Sequence, residues 1–336
     1  MLGTGLALVA ITFSTALGQG SGSAPPPKKA IRDPVRPVAV TPVQQVAVIP
    51  LKGTVGPCEL GEPWFSCVDF AAAVEKAEKA SIKTIILEIH SPGGFVRTED
   101  DIIAKILEAQ GRGVTFVALI DRDAGSAAAL IALACRRIYA TPAAKLGAAV
   151  TVLSGPSGSM SWAKAMKDDP ELAAKYESFN AALHTEAAES NARCVCVSMA
   201  MRQMAAELWW SPTSGLSATK QGDSTEQVDS KTTVLTLTAT QIQRLGIGET
   251  TTGRQDVLES LELGGAKVVD LAREMETSPK RLKQMVKQAV DLDNRVADSA
   301  LREGRSQRGT TSAGTEKLRQ QLTNLVDKVI EFVGAH

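Results

Sequence analysis

Between Val114 and Ala134 the chain reads VTFVALIDRDAGSAAALIALA. Val114 to Ile120 is an unbroken apolar run with β-branched members, the pattern of a strand covered on both faces. Ala127 to Ala134 is an apolar, alanine-rich helix, and Asp123-Ala124-Gly125 makes the turn between the two. Ser126 therefore stands at a strand–turn–helix junction. A hydroxyl there is exposed, with backbone amides and the positive end of a helix dipole beside it. The plain alternative is a helix N-cap, a role that serine also fills.

Thr84 to Ile89 (TIILEI) is a second run of the same kind, and it leads into Ser91-Pro92-Gly93-Gly94. A Pro-Gly-Gly turn permits positive φ and presents amide N–H groups with no Cβ in the way. Such amides can hold a developing oxyanion, although Pro-Gly pairs also mark ordinary turns. Val46 to Ile49, Arg137 to Ala140 and Ala148 to Leu153 read as further strands. Asp69 to Ala80 and Glu99 to Gln110 have helical spacing. This alternation predicts parallel strands joined by helical crossovers, an α/β fold.

Further along, Gly155 to Met160 reads as a loop, and Asp169-Pro170-Glu171 opens a helix with an acidic N-cap and proline at its first position. Ser211 to Thr232 is polar and reads as a mobile insertion. Thr233 to Leu245 reads as strand then helix. From Lys267 the chain reads as helix, broken at Glu303 to Gly314 and closed by the stripe Leu318, Leu322, Leu325, Val329 and Phe332.

At the other end, Leu2 to Leu17 is mostly apolar and Ala16-Leu17-Gly18 resembles a cleavage site. The segment 1–18 is expected to be a signal peptide or an uncleaved amino-terminal anchor. Residues 19–45, with six prolines, form an extended linker. The expected organisation is completed by an α/β domain over 46–263 and a helical tail over 264–336.

Composition removes several classes of function. The 336 residues carry 37 Lys plus Arg and 37 Asp plus Glu. That balance argues against a nucleic-acid partner, which phosphate neutralisation would mark with a basic excess. No apolar run reaches the ~18–20 residues of a spanning helix. The five cysteines include no CxxC and no Cys/His cluster, so no structural zinc site is expected. Cys58 and Cys67 flank a Gly-Glu-Pro-Trp loop, where a disulfide and free thiols are both open readings. Cys194 and Cys196 flank a single residue, a spacing that disfavours pairing on a regular helix or strand.

A serine nucleophile needs a base, and the three histidines are His90, His184 and His336. His90 lies beside the Gly-Gly turn. Neither His90 nor His184 has an acidic partner at a telling spacing. A lysine base must be desolvated to be neutral. On the helix after Pro170, Leu172, Tyr176, Phe179 and Leu183 form an apolar stripe, and Lys175 lies about 60–70° from its centre, at its edge. Lys164 and Lys167 are rivals, and a snorkelling surface lysine is the plain reading of all three. His184 is about 180° from Lys175, so the two cannot serve one site.

In combination these pieces resemble a known family. The order is a strand, Ser-Pro-Gly-Gly, a helix, a strand and Ala124-Gly125-Ser126-Ala127-Ala128-Ala129-Leu130. Ile138-Tyr139-Ala140-Thr141-Pro142 and Leu146-Gly147-Ala148-Ala149 follow, and later Leu235-Thr236-Leu237-Thr238-Ala239 through Leu245-Gly246-Ile247. The series is similar to the serine-protease domain of NfeD-type membrane proteases, relatives of signal peptide peptidase A and Clp protease in the crotonase-like superfamily.

The resemblance implies a ClpP/crotonase-like spiral of ββα units and a Ser–Lys dyad. Ser126 would be the nucleophile and Lys175 the base, because Lys175-Tyr176, Ala188-Glu189 and Arg193 fit the family's run. The oxyanion amides would be those of Gly94 and Ala127. It further implies a peptidase needing no ATP, metal or other cofactor, acting on hydrophobic segments of exported or membrane-associated polypeptides and assembling at least as a dimer. Its setting would be periplasmic or membrane-anchored on that side, with a membrane-protein partner possible. This sequence has Ala128 where the family has glycine, and His90 where the family has aspartate. Two other functions compete: a catalytically silent scaffold that binds a partner through its helical tail, and a crotonase-type acyl-CoA enzyme.

Overall fold

In a computed structural model of the chain, residues 44–56, 64–155, 158–222, 225–305 and 313–335 are described. The expected signal segment, nearly all of the linker, and Cys58 lie outside them. The first half alternates as expected: β1 (Gln45–Val55), β2 (Trp64–Phe65), α1 (Cys67–Lys79), β3 (Thr84–Gly94), α2 (Val96–Gly111), β4 (Thr115–Gly125), α3 (Ala127–Ala134), β5 (Arg137–Ala140) and β6 (Lys145–Gly147). Strands β1, β3, β4 and β5 run parallel, β1 beside β3 and β3 beside β4, with Val46 opposite Thr84 and Thr84 opposite Thr115.

These runs are apolar on both sides because both faces are covered. Ile49, Leu51, Ile85, Leu87, Phe116 and Ala118 face α1, α2 and α3. The alternate residues Val46, Val48, Ile86, Val117 and Leu119 pack with Tyr139, Val257 and Leu258 on the other face. Ser66 caps α1 by accepting the Asp69 amide at 3.1 Å.

The next elements are β7 (Val152–Gly155), β8 (Gly158–Ser161), α4 (Trp162–Ala165), α5 (Pro170–Ser190) and α6 (Val195–Arg202). The expected loop from Gly155 to Met160 falls instead across the antiparallel pair β7–β8. The opening of α5 is as read: Asp169 accepts the Leu172 amide at 3.0 Å, and Pro170 is at the first position. The region read as a mobile insertion is ordered by a three-stranded antiparallel sheet, β9 (Leu208–Ser211), β10 (Gly215–Ser217) and β11 (Glu226–Asp229). Its hydrogen bonds come from backbone, so a polar composition did not prevent it.

β12 (Thr236–Thr238), α7 (Ala239–Arg244), β13 (Glu249–Thr250) and α8 (Arg254–Ser260) follow, and then β14 (Lys267–Asp270). β14 corrects the expectation of helix from Lys267. It pairs in parallel with β1, Val46 opposite Val268, and extends the sheet past the expected boundary at 263. The sheet order is β12-β6-β4-β3-β1-β14, with β5 beside β4, β13 beside β5 and β2 beside β1. The tail is α9 (Thr277–Arg305) and α10 (Ala313–Ala335). Leu282, Met285 and Val286 of α9 meet Val329 of α10, so the closing apolar stripe is partly covered by the tail itself.

Cys194 and Cys196 form a disulfide, contrary to the reading of their spacing. Cys194 is the extended N-cap of α6 (φ −65°, ψ 122°) and only Cys196 is helical, so the regular geometry assumed for the pair does not apply. Cys67 is a free thiol, and burial pushes its pKa up to about 11.

Arg193, between α5 and α6, donates to the carbonyls of Leu133 at 2.9 Å, Cys135 at 2.5 Å and Arg136 at 3.2 Å. A cation there meets the carboxyl end of α3, where carbonyls lack intrahelical partners. Arg193→Met should lower unfolding free energy by about 2–4 kcal/mol, because it strands these acceptors. Urea unfolding checks this, and a loss under about 0.5 kcal/mol, the level of an ordinary surface change, would contradict it.

Candidate active site at the carboxyl ends of the central strands

β3 and β4 end side by side, Ser91 opposite Ala124. Carboxyl ends of parallel strands are where α/β folds place their sites. After Gly125 the chain must turn from strand into α3 within one residue. Ser126 makes that turn at φ +50°, ψ −126°, a conformation that costs a residue bearing Cβ on the order of 1–3 kcal/mol. Its amide donates to the Gly147 carbonyl at 2.9 Å, while its side chain makes no capping bond to α3. The N-cap reading of the hydroxyl therefore does not hold.

Gly93 closes against this turn. Its φ is +100°, and a Cβ there would come within 2.5 Å of the Ser126 Cβ and 2.9 Å of the Ala127 amide nitrogen. The Gly93 amide is taken by Ser91 Oγ at 3.1 Å, and that hydroxyl donates to the Gly53 carbonyl at 2.6 Å. The Pro-Gly-Gly turn is thereby fixed against the serine, with Gly94 on the wall of the same cleft as Ser126. Ala127 is the first residue of α3, where amides have no partner within the helix.

The cleft is open and measures about 410 Å³. One wall is apolar, with Phe95, Val96, Leu130, Val150, Val152 and Leu153. The other is polar, with Glu99, Asn180, His184 and Arg202. Glu99 comes from α2, Asn180 and His184 from α5, and Arg202 from α6.

His184 Nε2 lies 2.6 Å from Glu99 Oε1, with side chains only 4% and 3% exposed. Burial pushes the Glu99 carboxyl above the carboxylate range. Burial, aided by the Arg202 charge, pushes His184 below the imidazole range. Asp100 is raised to about 6, by burial and then by Glu99. Arg202 donates to Glu177 at 3.1 Å. Buried atoms without a hydrogen-bond partner include His184 Nδ1, Asn180 Nδ2 and Asp100 Oδ1. Unmatched buried polar atoms are rare enough that each needs a reason.

Lys175 is not on this cleft. It is exposed, in a separate surface groove with Leu172, Tyr176 and Phe179. Lys164 and Lys167 are also exposed, and neither lines the Ser126 cleft. Of the apolar stripe, Leu172 and Phe179 point outward, 44% and 80% exposed, while Leu183 packs against the core. The buried face of α5 is Asn180, His184, Ala187 and Ala188. Small residues let α5 approach the alanines of α3 closely, and its two polar residues meet the polar wall. The 180° separation of Lys175 from His184 is present as read, with the inward side reversed. Sequence reading missed Glu99, whose partner is 85 positions away, and Arg202.

Glu99, Asp100 and His184 also offer one ligand atom each, all within 4.8 Å of one another. Two carboxylate oxygens and an imidazole nitrogen could hold a divalent cation such as zinc.

Comparisons with known proteins place this architecture. The model of the NfeD1b N-terminal domain matches residues 45–271. The membrane protein NfeD1b of Bacillus subtilis (strain 168) is 35% identical over 109 residues, covering 32% of this chain and 23% of that protein. The match thus spans under a quarter of that relative's length. The 1510-N membrane protease specific for a stomatin homolog, from Pyrococcus horikoshii, aligns at 16% identity and a TM-score of 0.43, over 68% of this chain and 92% of that one. A ClpP1 variant from Listeria monocytogenes aligns at 15% identity and a TM-score of 0.39, over 62% of this chain and 94% of that one. With the family match running from the first strand of the sheet to the last and enclosing the whole Ser126 cleft, this chain belongs to the family of the NfeD1b N-terminal domain.

Proposed function

We infer that this chain is a serine-type endopeptidase that works without ATP and takes apolar polypeptide segments. The observation that carries the reading is the backbone of Ser126, held at φ +50° beside Gly93 with its hydroxyl unused by the helix it precedes. Strain of this kind persists where the surroundings enforce it, and it clusters at functional sites. Ser126 Oγ attacks the peptide carbonyl carbon as its proton passes to a base. The amides of Gly94 and Ala127 take the tetrahedral oxyanion. The proton then goes to the leaving amine, and water releases the acyl group by the reverse route.

The apolar wall, with Phe95 46%, Val152 55% and Leu153 40% exposed, fits a hydrophobic segment. The membrane labels of the relatives fit an exported, membrane-facing setting. The outward Leu172 and Phe179 provide an apolar face on which a second copy would pack.

A serine-reactive fluorophosphonate probe tests the reading on the purified chain. One adduct per chain, mapped by mass to the peptide holding Ser126, is expected. The silent-scaffold reading draws on the exposure of Lys175, Lys164 and Lys167, and an unlabelled Ser126 would favour it and overturn the peptidase.

A further inference from the structure

We propose that Glu99, Asp100 and His184 form a binding site for a divalent cation of the zinc type, which ties α2 to α5 beside the Ser126 cleft. The proposal is independent of the peptidase reading and gives the cation no part in cleavage. Each of the three residues offers one ligand atom, and these atoms all lie within 4.8 Å of one another. Nε2 of His184 is 2.6 Å from Glu99 Oε1 and 4.0 Å from Asp100 Oδ1. Glu99 and Asp100 are neighbours on α2, and His184 reaches them from α5.

A proton does not satisfy this arrangement. Carried on Nε2, it serves the Glu99 oxygen, and Asp100 Oδ1 is left buried without a hydrogen-bond partner. A stranded buried acceptor costs stability, and a second carboxylate beside the first costs more. The Arg202 guanidinium on the same wall sends its hydrogen bond to Glu177 at 3.1 Å, not to Glu99 or Asp100. A divalent cation takes a lone pair from all three atoms at once and offsets both carboxylate charges. The Nε2 proton then leaves to solvent, because a ligating imidazole nitrogen must be bare.

Asn180 supplies a separate observation. It stands one turn before His184 on α5, on the same cleft wall as Glu99, and is 6% exposed with no partner for Nδ2. A cation with three protein ligands keeps at least one water, so a hydrated ion meets both kinds of unmet polar group on this wall. His184 Nδ1 lacks a partner with or without the ion and does not decide. Entry is open: Glu99 and His184 line the cleft, and the Asp100 side chain is 29% exposed. Two oxygens and one imidazole nitrogen, without sulfur, suit Zn²⁺ and bind it above Mn²⁺ and Fe²⁺ in the usual order of affinities. Mg²⁺ prefers oxygen throughout and gives up its waters reluctantly.

The experiment uses the full chain, stripped of metal with a chelator, dialysed and titrated with Zn²⁺. About one equivalent per chain should bind, and the unfolding midpoint should rise with Zn²⁺ concentration but not with the same concentrations of Mg²⁺. Asp100→Asn and His184→Ala should each weaken binding by about 100-fold or more, beyond what loss of an outer-shell partner does, and abolish the midpoint rise. His90→Ala and alkylation of the thiols should leave both unchanged. Asp100 Oδ1 has no hydrogen bond to lose, so Asp100→Asn should keep the metal-free midpoint of the parent. It decides the matter if His184→Ala does not fold. A parent chain that takes up no Zn²⁺ would overturn the proposal, as would zinc retained in Asp100→Asn or lost in His90→Ala or on alkylation. Ser126→Ala should bind Zn²⁺ as the parent does, so an unlabelled Ser126 and an absent zinc site are separate failures.

Discussion

Ser126→Ala should reduce peptide cleavage by on the order of 10⁴- to 10⁶-fold with little change in KM. On the peptidase reading the nucleophile is removed while the cleft walls stay in place, and residues acting as one catalytic unit give losses of this size. Ser126→Gly should inactivate equally but raise unfolding free energy by about 1 kcal/mol, because φ +50°, ψ −126° is strained only for a residue with a Cβ. Opposite signs for activity and stability at one position are the mark of strain kept for function. Turnover and urea unfolding on the same protein samples check both. Cleavage that survives Ser126→Ala in contaminant-free protein would remove Ser126 from the mechanism. A stability that falls on Ser126→Gly would show that the turn is not strained.

The second large effect is expected at Gly94. A Cβ there would lie 1.7 Å from the Val55 carbonyl oxygen and 2.7 Å from the Val55 amide nitrogen. These are backbone atoms of the neighbouring strand, with Val55 opposite Gly94 and the Phe95 amide donating to the Val55 carbonyl at 2.8 Å. No side-chain rotation relieves the clash, so β1 and β3 must separate beside the Ser126 cleft, which Gly94 lines. Gly94→Ala should cost about 3 kcal/mol or more, at or beyond the upper end of overpacking effects, and slow labelling of Ser126 as well. Gly113→Ala is the control. Its φ is +87° but nothing lies within 4 Å of the added methyl, so only the backbone penalty of about 1 kcal/mol remains. Equal costs for the two substitutions would show that the strand ends yield freely.

The parts of the fold that follow from short-range pattern were legible in the sequence. TIILEI and VTFVALI are strands because only a doubly covered strand buries so continuous an apolar run, and both faces are covered here. The helix opening at Asp169-Pro170 followed from capping chemistry. The junction that holds Ser126 followed from the change of period between strand and helix. The failures share one cause, which is that the deciding partner is distant. β14 is a strand because β1 offers it a free edge over two hundred positions away in sequence, Gln45 opposite Lys267. Four residues opening a helical stretch carry no local mark of that.

The side of α5 that faces inward was decided by tertiary packing. Periodicity separates its Leu172–Phe179 face from its Asn180–His184 face, and hydropathy alone chooses the former. The structure chooses the latter because Ala187 and Ala188 fit against α3, and because Glu99 receives the imidazole of His184. A buried polar residue is tolerable only when its partner is also buried. Periodicity along one helix can set which residues share a face, but the partner that makes a polar face the inner one comes from another element and is fixed only when the chain folds.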